Sequence, residues 1–237
     1  GYVENIILLR LLDQKEKMLD LYPKFRNHKE GKWIIGYDDS ERLQRLIKEY
    51  KPRTILDLGS GIGASTYALA EALEKNGEGH IWALEQSKKC QDVARELISA
   101  NLQKRITFDL QEPQLVKFTW CDDNIFSTFK ELPKEHWDMV VIDGPGPFKP
   151  KDNLFTGANG CIFRVFNKIN KGGIIYLDNR RETLMKIWRY LAYYLEILEM
   201  DESVTRGYYV FKRNAKDYIG FIDMSLAKFQ QEGYFDE

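Results

Sequence analysis

Apolar and polar positions along most of the chain follow two alternating patterns. Short apolar runs, which predict buried strands, occupy residues 54–58, 80–84, 137–142 and 172–177. Apolar positions at helical spacing, which predict amphipathic helices, occupy residues 64–75, 87–100, 124–131, 158–169 and 181–193. Strands that alternate with helices are typical of a parallel sheet covered by helices on both faces. We therefore expect a doubly wound α/β sheet.

The sheet is predicted to be seven-stranded and mostly parallel. Extended segments are expected at 105–110 and 115–121. Two further β-like runs, 194–201 and 207–214, are joined by a turn with Gly207 and predict a terminal antiparallel hairpin. An NAD-binding Rossmann domain would continue with more β-α-β units instead.

The two ends of the chain are predicted to be helical. Residues 1–50 are expected to form N-terminal helices, with Asp39 or Ser40 capping the last of them. Residues 51–214 form the predicted sheet domain, and residues 215–237 form a predicted helical tail.

Composition and charge exclude several classes of binding partner and site. The 237 residues carry a formal net charge of −1, which argues against nucleic acid as a partner. The three cysteines are far apart, so we expect no zinc site, no disulfide framework and a reducing, cytoplasmic environment. No apolar run approaches the roughly 20 residues of a membrane span, so we expect no membrane partner. Because the first residue is Gly1, we expect a tag remnant or a fragment of a larger multidomain protein.

The segment 54–66, TILDLGSGIGAST, carries the clearest functional signal. A strand containing Asp57 leads into a glycine turn and a helix, the geometry that holds a nucleotide-like ligand in α/β sheets. The same letters satisfy a loose dinucleotide-binding pattern, so NAD remains an alternative. A carboxylate beside the turn would repel a pyrophosphate and suits a cationic ligand better. The candidate ligand-binding residues of this segment are Asp57, Gly59, Ser60, Gly61, Gly63 and Ser65.

The pattern D-x-G-x-G-x-G resembles motif I of the class I S-adenosylmethionine-dependent methyltransferases. The resemblance implies a Rossmann-like methyltransferase fold and S-adenosylmethionine as cofactor. Glu85, about 20 residues beyond the turn, would accept hydrogen bonds from the ribose hydroxyls, with Gln86 beside it. The alternative for Glu85 is an ordinary surface carboxylate, and for Ser65 a simple first-turn serine rather than a ligand of the cofactor's carboxylate.

The segment 120–124, WCDDN, supplies a further candidate. In this family an acid here meets the adenine amino group, which implies Asp122. Helix N-capping is the alternative for Asp122 and Asp123 alike.

Polar side chains also follow two later strands. Asp143 ends the strand 137–142, and Asp178 with Asn179 ends the strand 172–177. Neighbouring parallel strands lie about 5 Å apart, so these three oxygen-bearing side chains can converge. Carboxylate and amide oxygens suit Mg²⁺. The alternative is a metal-free site in which Asp143 contacts substrate and Asp178 pairs with Arg180 or Arg181.

This second arrangement resembles the metal-dependent O-methyltransferases of the catechol and caffeoyl-CoA type. In that group an Asp and an Asp-Asn pair bind Mg²⁺, and a Lys close to the first Asp acts as base. Here the first lysine after Asp143 is Lys149, and a Gly-Pro-Gly-Pro run intervenes. The resemblance therefore implies Asp143 and Lys149 as catalytic candidates, and Asp143 also borders the cofactor.

The expected function is methyl transfer from S-adenosylmethionine to a hydroxyl of a small molecule, with Mg²⁺ as a second cofactor if the metal site forms. Three alternatives stay open: a nitrogen or macromolecular acceptor, an NAD-binding oxidoreductase, and a non-catalytic domain of a larger protein. We expect a small-molecule acceptor as the partner, with a homodimer as a further expectation.

Overall fold

The computed structural model of the chain describes residues 22–118, 120–121, 125–145, 158–202, 207–218 and 227–229. Its helices are α1 (Tyr22–Asn27), α2 (Tyr37–Tyr50), α3 (Ala64–Asn76), α4 (Lys88–Leu97), α5 (Ala100–Gln103), α6 (Cys161–Val165) and α7 (Arg181–Leu191). Its strands are β1 (Thr54–Leu58), β2 (His80–Glu85), β3 (Ile106–Leu110), β4 (Pro113–Lys117), β5 (Phe126–Phe129), β6 (Trp137–Ile142), β7 (Ala158–Asn159), β8 (Ile169–Leu177), β9 (Leu195–Asp201), β10 (Tyr208–Arg213) and β11 (Ala227–Phe229).

The main sheet has seven strands in the order β3-β2-β1-β6-β8-β10-β9. Strand β10 runs antiparallel to both of its neighbours, and the other pairings are parallel. The predicted fold class, a mostly parallel seven-stranded sheet that ends in an antiparallel hairpin, is confirmed. The chain leaves β1 toward β2 and β3 and returns at β6, so the strand order reverses between β1 and β6. Ligands of open α/β sheets bind at such a reversal.

Alternate residues of the central strands pack in two hydrophobic cores, one on each face of the sheet. Ile55 of β1 packs in one core, and its neighbours Leu56 and Leu58 pack in the other. Helices α2, α3 and α4 cover the first face, whereas α6, α7 and a second small sheet cover the opposite face. None of the described helices is both long and apolar enough to cross a lipid bilayer.

The second sheet, with the order β11-β4-β5-β7, was not predicted. The helix expected at 124–131 is wrong, because Phe126–Phe129 form strand β5 between β4 and β7. All four residues of β5 are buried. A short run that is buried on both faces shows no periodicity that separates strand from helix. The helical tail expected at 215–237 is wrong at Ala227–Phe229, which pair with β4 as strand β11.

The long helix expected at 158–169 is also wrong. The segment consists of β7, the five-residue helix α6, a 3₁₀ turn at Phe166–Lys168 and the first residue of β8. Buried hydrogen bonds of Asn159 fix the extended start of this segment, as described below. The helix expected at 87–100 likewise divides into α4 and α5.

The predicted cap of the helix before β1 is wrong as well. Gly36 is the N-cap residue of α2, and Ser40 donates its hydroxyl to the Gly36 carbonyl from inside the helix. Residues 1–21 of the predicted N-terminal helical region lie outside the described residues.

Candidate functional site

The glycine turn joins β1 to α3 at the reversal of the strand order. Gly59, Gly61 and Gly63 have φ angles of 86°, 54° and 93°, which glycine adopts without a steric cost. The backbone amides of Gly59 and Ser60 both donate to the Leu84 carbonyl, at 2.9 and 3.0 Å. The turn is therefore fastened to the carboxyl end of β2.

Gly59 also brings the turn against the loop that follows β6. A Cβ atom on Gly59 would lie 2.3 Å from the backbone N and Cα of Gly144. The amides of Asp143 and Gly144 donate to the Leu58 carbonyl at 2.8 and 2.5 Å. The close backbone packing places Asp143 beside the glycine turn, as the sequence predicts for a shared edge.

Asp57 is fully buried at the base of this turn. Its Oδ2 accepts hydrogen bonds from the hydroxyls of Ser65, at 2.9 Å, and Thr66, at 2.7 Å. Burial raises the pKa of Asp57 to about 7, against the opposing effect of these two hydrogen bonds. Its Oδ1 is buried and has no hydrogen-bond partner among the described residues. Thr66 was not among the predicted site residues, and the predicted contact of Ser65 with a ligand carboxylate stays a prediction.

Three other predicted residues, Glu85, Gln86 and Ser60, lie around the same turn. The Glu85 carboxylate accepts from the amide of Gly61 at 2.7 Å and from that of Ser87 at 2.9 Å. Burial raises the pKa of Glu85, although these backbone hydrogen bonds oppose the shift. Gln86 follows it, half-buried. The Ser60 hydroxyl is buried and unpartnered within the described part of the chain.

The second group of predicted residues meets at the ends of β6 and β8. Arg180 places its Nη2 2.8 Å from Asp143 Oδ1 and its Nε 3.0 Å from Asp178 Oδ1. Burial, with the nearby negative charge of Asp143, raises the pKa of Asp178 well above its usual range, and the Arg180 charge opposes the shift. The alternative in which Asp178 pairs with Arg180 is the arrangement observed. Asn179 is exposed.

These side chains do not fit a divalent cation as they are arranged. Mg²⁺ binds oxygen ligands at about 2.0–2.1 Å. The guanidinium of Arg180 already lies against one oxygen of each carboxylate, so an ion shared by those oxygens would meet a positive charge at contact distance. Within the described ranges no group of three His, Cys, Asp or Glu side chains is arranged for a metal. The Mg²⁺ site at Asp143, Asp178 and Asn179 stays a prediction of the sequence.

Asn159 supports this edge in a way that the sequence did not reveal. Its buried Nδ2 donates to the carbonyl of Gly144, and its Oδ1 accepts from the Cys161 amide at 2.8 Å. Its backbone amide donates to the Thr183 hydroxyl at 2.9 Å. These bonds fix the backbone directly after Asp143. Sequence reasoning missed Asn159 because its key partner is a backbone carbonyl, which leaves no mark in the residue pattern.

Helix α2 borders the site from the N-terminal side. The hydroxyl of Tyr176 donates to Asp39 Oδ1 at 2.5 Å, and Arg42 pairs with the same oxygen at 2.6 Å. Burial and the Asp39 charge raise the pKa of Tyr176 far above its usual range. The charge of Asp39 also contributes to the raised pKa of Asp178. The first turn of α2 is therefore part of the electrostatic surroundings of the β8 end.

Two predicted site residues cannot be placed. Asp122, the candidate for the adenine amino group, and Lys149, the candidate base, lie outside the described residues.

Comparison with known sequences gives one family. The profile described as "Methyltransferase domain" matches residues 50–215, about 70% of the chain. No curated protein sequence matches the chain.

Solved structures with a similar fold include several methyltransferases. An O-methyltransferase from Bacillus cereus, in complex with SAH, is 16% identical and superposes with a TM-score of 0.55 over 84% of this chain and 91% of its own. The SAH-bound methyltransferase PaMTH1 of Podospora anserina is 14% identical, with a TM-score of 0.57 over 84% and 88%. The O-methyltransferase TomG of Streptomyces achromogenes, involved in tomaymycin synthesis and in complex with SAM, is 13% identical, with a TM-score of 0.55 over 84% and 90%. At these identities the likeness concerns the fold.

Proposed function

The chain belongs to the methyltransferase domain family, and we propose that it transfers a methyl group from S-adenosylmethionine to a hydroxyl oxygen of a small molecule. The observation that carries the proposal is the carboxylate of Asp57. It is buried beside the glycine turn, and its Oδ1 has no donor among the described residues. A buried polar atom without a partner costs free energy, so a ligand that supplies a donor gains that free energy on binding.

The cofactor's charge matches this site. S-adenosylmethionine brings an ammonium and a sulfonium, both attracted to carboxylates, whereas a dinucleotide brings a pyrophosphate that Asp57 would repel. We assign the ribose hydroxyls to Glu85, which keeps free lone pairs beyond its bonds to the Gly61 and Ser87 amides. Gln86, the Ser60 hydroxyl and the predicted Asp122 complete the proposed cofactor edge.

The acceptor is assigned to the neighbouring end of β6. In the reaction an acceptor oxygen attacks the methyl carbon, the bond from carbon to sulfur breaks, and the sulfur leaves as a neutral thioether. Alignment of the two reactants supplies most of the rate, because the sulfonium already activates the methyl group. Asp143 lies beside the glycine turn and is assigned to orient the acceptor hydroxyl and to receive its proton. Lys149 stays the second candidate for the base.

The acceptor class is inferred from solved structures of similar fold and from the charge of the chain. Several solved structures of similar fold carry the name O-methyltransferase, which favours an oxygen acceptor over a nitrogen acceptor. The formal net charge of −1 favours a small molecule over nucleic acid.

The test is transfer of a labelled methyl group to defined acceptors. The full chain is incubated with methyl-labelled S-adenosylmethionine and matched phenols, aliphatic alcohols and amines, and products are identified by mass spectrometry. The proposal predicts O-methyl products that require Asp143, with Glu78→Gln, an exposed residue before the amino end of β2, as a control variant. Methyl transfer to the amines alone, or none despite tight cofactor binding, would contradict the acceptor assignment.

A further inference from the structure

The guanidinium of Arg180 lies between the two carboxylates for which the sequence predicts a divalent cation. We propose that Arg180 is the permanent cation of this site, that it keeps divalent metal ions out, and that methyl transfer here needs no metal. The inference rests on the proposed acceptor site at the ends of β6 and β8, although its test requires no turnover.

The guanidinium makes a hydrogen bond to Asp143 and lies within ion-pair distance of Asp178. Nη2 donates to Asp143 Oδ1 at 2.8 Å, and Nε lies 3.0 Å from Asp178 Oδ1. One arginine thereby bridges residues from two strands, which is the structural task of a metal ion in the predicted site. An arginine is always charged at physiological pH and holds its donors in a fixed plane.

The backbone fixes Arg180 in this position. Its amide donates to the Asp178 carbonyl at 2.5 Å, and its carbonyl accepts from the Leu184 amide at 2.9 Å as α7 begins. The side chains of Arg180, Asp143 and Asp178 are 19%, 26% and 37% exposed, so the ion pairs are partly shielded from solvent. Pairs with restricted solvent access are screened less than surface pairs. The neighbouring Arg181 is exposed and serves as the matched control.

Charge explains why a metal and Arg180 exclude each other. A divalent ion in contact with both Oδ1 atoms would lie within a few ångströms of a guanidinium nitrogen, where like charges repel strongly. Removal of the guanidinium would leave two carboxylates and the Asn179 amide at one edge, an oxygen set that Mg²⁺ and Mn²⁺ accept. The proposal therefore predicts that loss of Arg180 creates a metal site that the unaltered chain lacks.

The experiment measures Mn²⁺ binding by electron paramagnetic resonance, which reports free Mn²⁺ directly. The full chain and its Arg180→Ala, Arg181→Ala and Arg180→Ala/Asp178→Asn variants are titrated with Mn²⁺ in the absence of cofactor. Circular dichroism checks that each variant is folded. If Arg180→Ala does not fold, Arg180→Gln, which keeps the length and removes the charge, takes its place.

We expect the unaltered chain and Arg181→Ala to leave Mn²⁺ free, and Arg180→Ala to bind one ion per chain at least tenfold more tightly. The added Asp178→Asn change should abolish this gain. Binding of one ion by the unaltered chain that depends on Asp178 would overturn the inference, and so would an Arg180→Ala variant that is folded and gains no affinity. A failure to bind S-adenosylhomocysteine would count against the proposed function and would leave the Mn²⁺ result readable.

Discussion

Asp57 and Glu85 are both buried carboxylates, but their hydrogen-bond partners differ. The Asp57 carboxylate receives its two bonds from side-chain hydroxyls, on one oxygen, whereas Glu85 receives backbone amides on both oxygens. The Glu85 carboxylate thus fixes the backbone of the glycine turn, and it also lies at the edge where the cofactor is proposed to bind. Asp57 keeps one buried oxygen without a donor in the described structure. We therefore expect Glu85 to be detected through cofactor affinity and Asp57 through the pH dependence of stability.

Replacement of Glu85 should weaken cofactor binding. The change Glu85→Ala removes the proposed bonds to the ribose hydroxyls, each worth about 1.5–3 kcal/mol when one partner is charged. We expect the affinity for S-adenosylhomocysteine to fall by about 2–4 kcal/mol, because water compensates in part. Calorimetric titration measures the change, and Glu112→Ala, a glutamate with a 78% exposed side chain, is the control. Equal affinities for the two variants would remove Glu85 from the site.

The raised pKa of Asp57 predicts a pH dependence of stability. Its pKa is about 7 in the folded chain and near 3.8 when unfolded, so between these values the folded state binds the extra proton. Stability from this group is fully present below about pH 4 and falls as the pH rises to about 7. A difference of about three in the pKa of Asp57 corresponds to about 4 kcal/mol in the free energy of unfolding. Glu85 and Asp143 carry the negative charges that add to the shift.

Chemical denaturation at several pH values isolates this contribution. The free energy of unfolding of the unaltered chain, minus that of Asp57→Asn, should decrease from pH 4 to pH 7. A difference that stays constant over this range would show that Asp57 ionises normally in the folded chain.

At the scale of elements, the packing of the β1 turn against the β6 loop decides the geometry of the site. Gly59 and Gly144 touch through their backbones, and Asn159 holds the Gly144 carbonyl from the opposite side. Backbone atoms cannot rotate away as a side chain can. The contact therefore tolerates no added atom, and it fixes Asp143 relative to the glycine turn.

A comparison of two glycines with similar positive φ angles tests this contact. Gly59 and Gly77 have φ angles of 86° and 83°, but a Cβ on Gly77 would meet no atom within 4 Å. Gly77→Ala should cost about 1–2 kcal/mol of stability, the strain of the left-handed conformation alone. Gly59→Ala should cost about 1–3 kcal/mol more, the range of an overpacked site. Equal losses in denaturant unfolding would mean that the loops do not pack as described.

A strand or helix could be predicted where its surroundings require a recognisable pattern of apolar and polar residues. Strands β1, β2, β6 and β8 are apolar runs between helical patterns, and their parallel arrangement followed from β-α-β alternation. Strand β5 is also apolar, but it is buried between β4 and β7 without an alternating pattern, and β4 also pairs with β11 over about 110 residues of sequence. Pairing over such a distance leaves no local pattern.

At the scale of the whole molecule, the sequence predicted the ligand edge because parallel strands collect their carboxyl ends at one side of the sheet. Asp57, Glu85 and Asp143 lie together there for that reason. The sequence alone does not distinguish a metal ion from Arg180 as the partner of Asp178, because either cation can pair with a carboxylate that follows a strand. In the structure Arg180 lies 2.8 Å from Asp143 Oδ1 and 3.0 Å from Asp178 Oδ1.

The central claim is that the glycine edge binds the methyl donor rather than a dinucleotide. Its most direct test is parallel calorimetric titration of the full chain with S-adenosylhomocysteine and with NAD⁺. The account predicts one S-adenosylhomocysteine per chain, weakened by Glu85→Ala, and no heat of binding from NAD⁺. Binding of NAD⁺ at this edge, or no binding of S-adenosylhomocysteine by the folded chain, would contradict it.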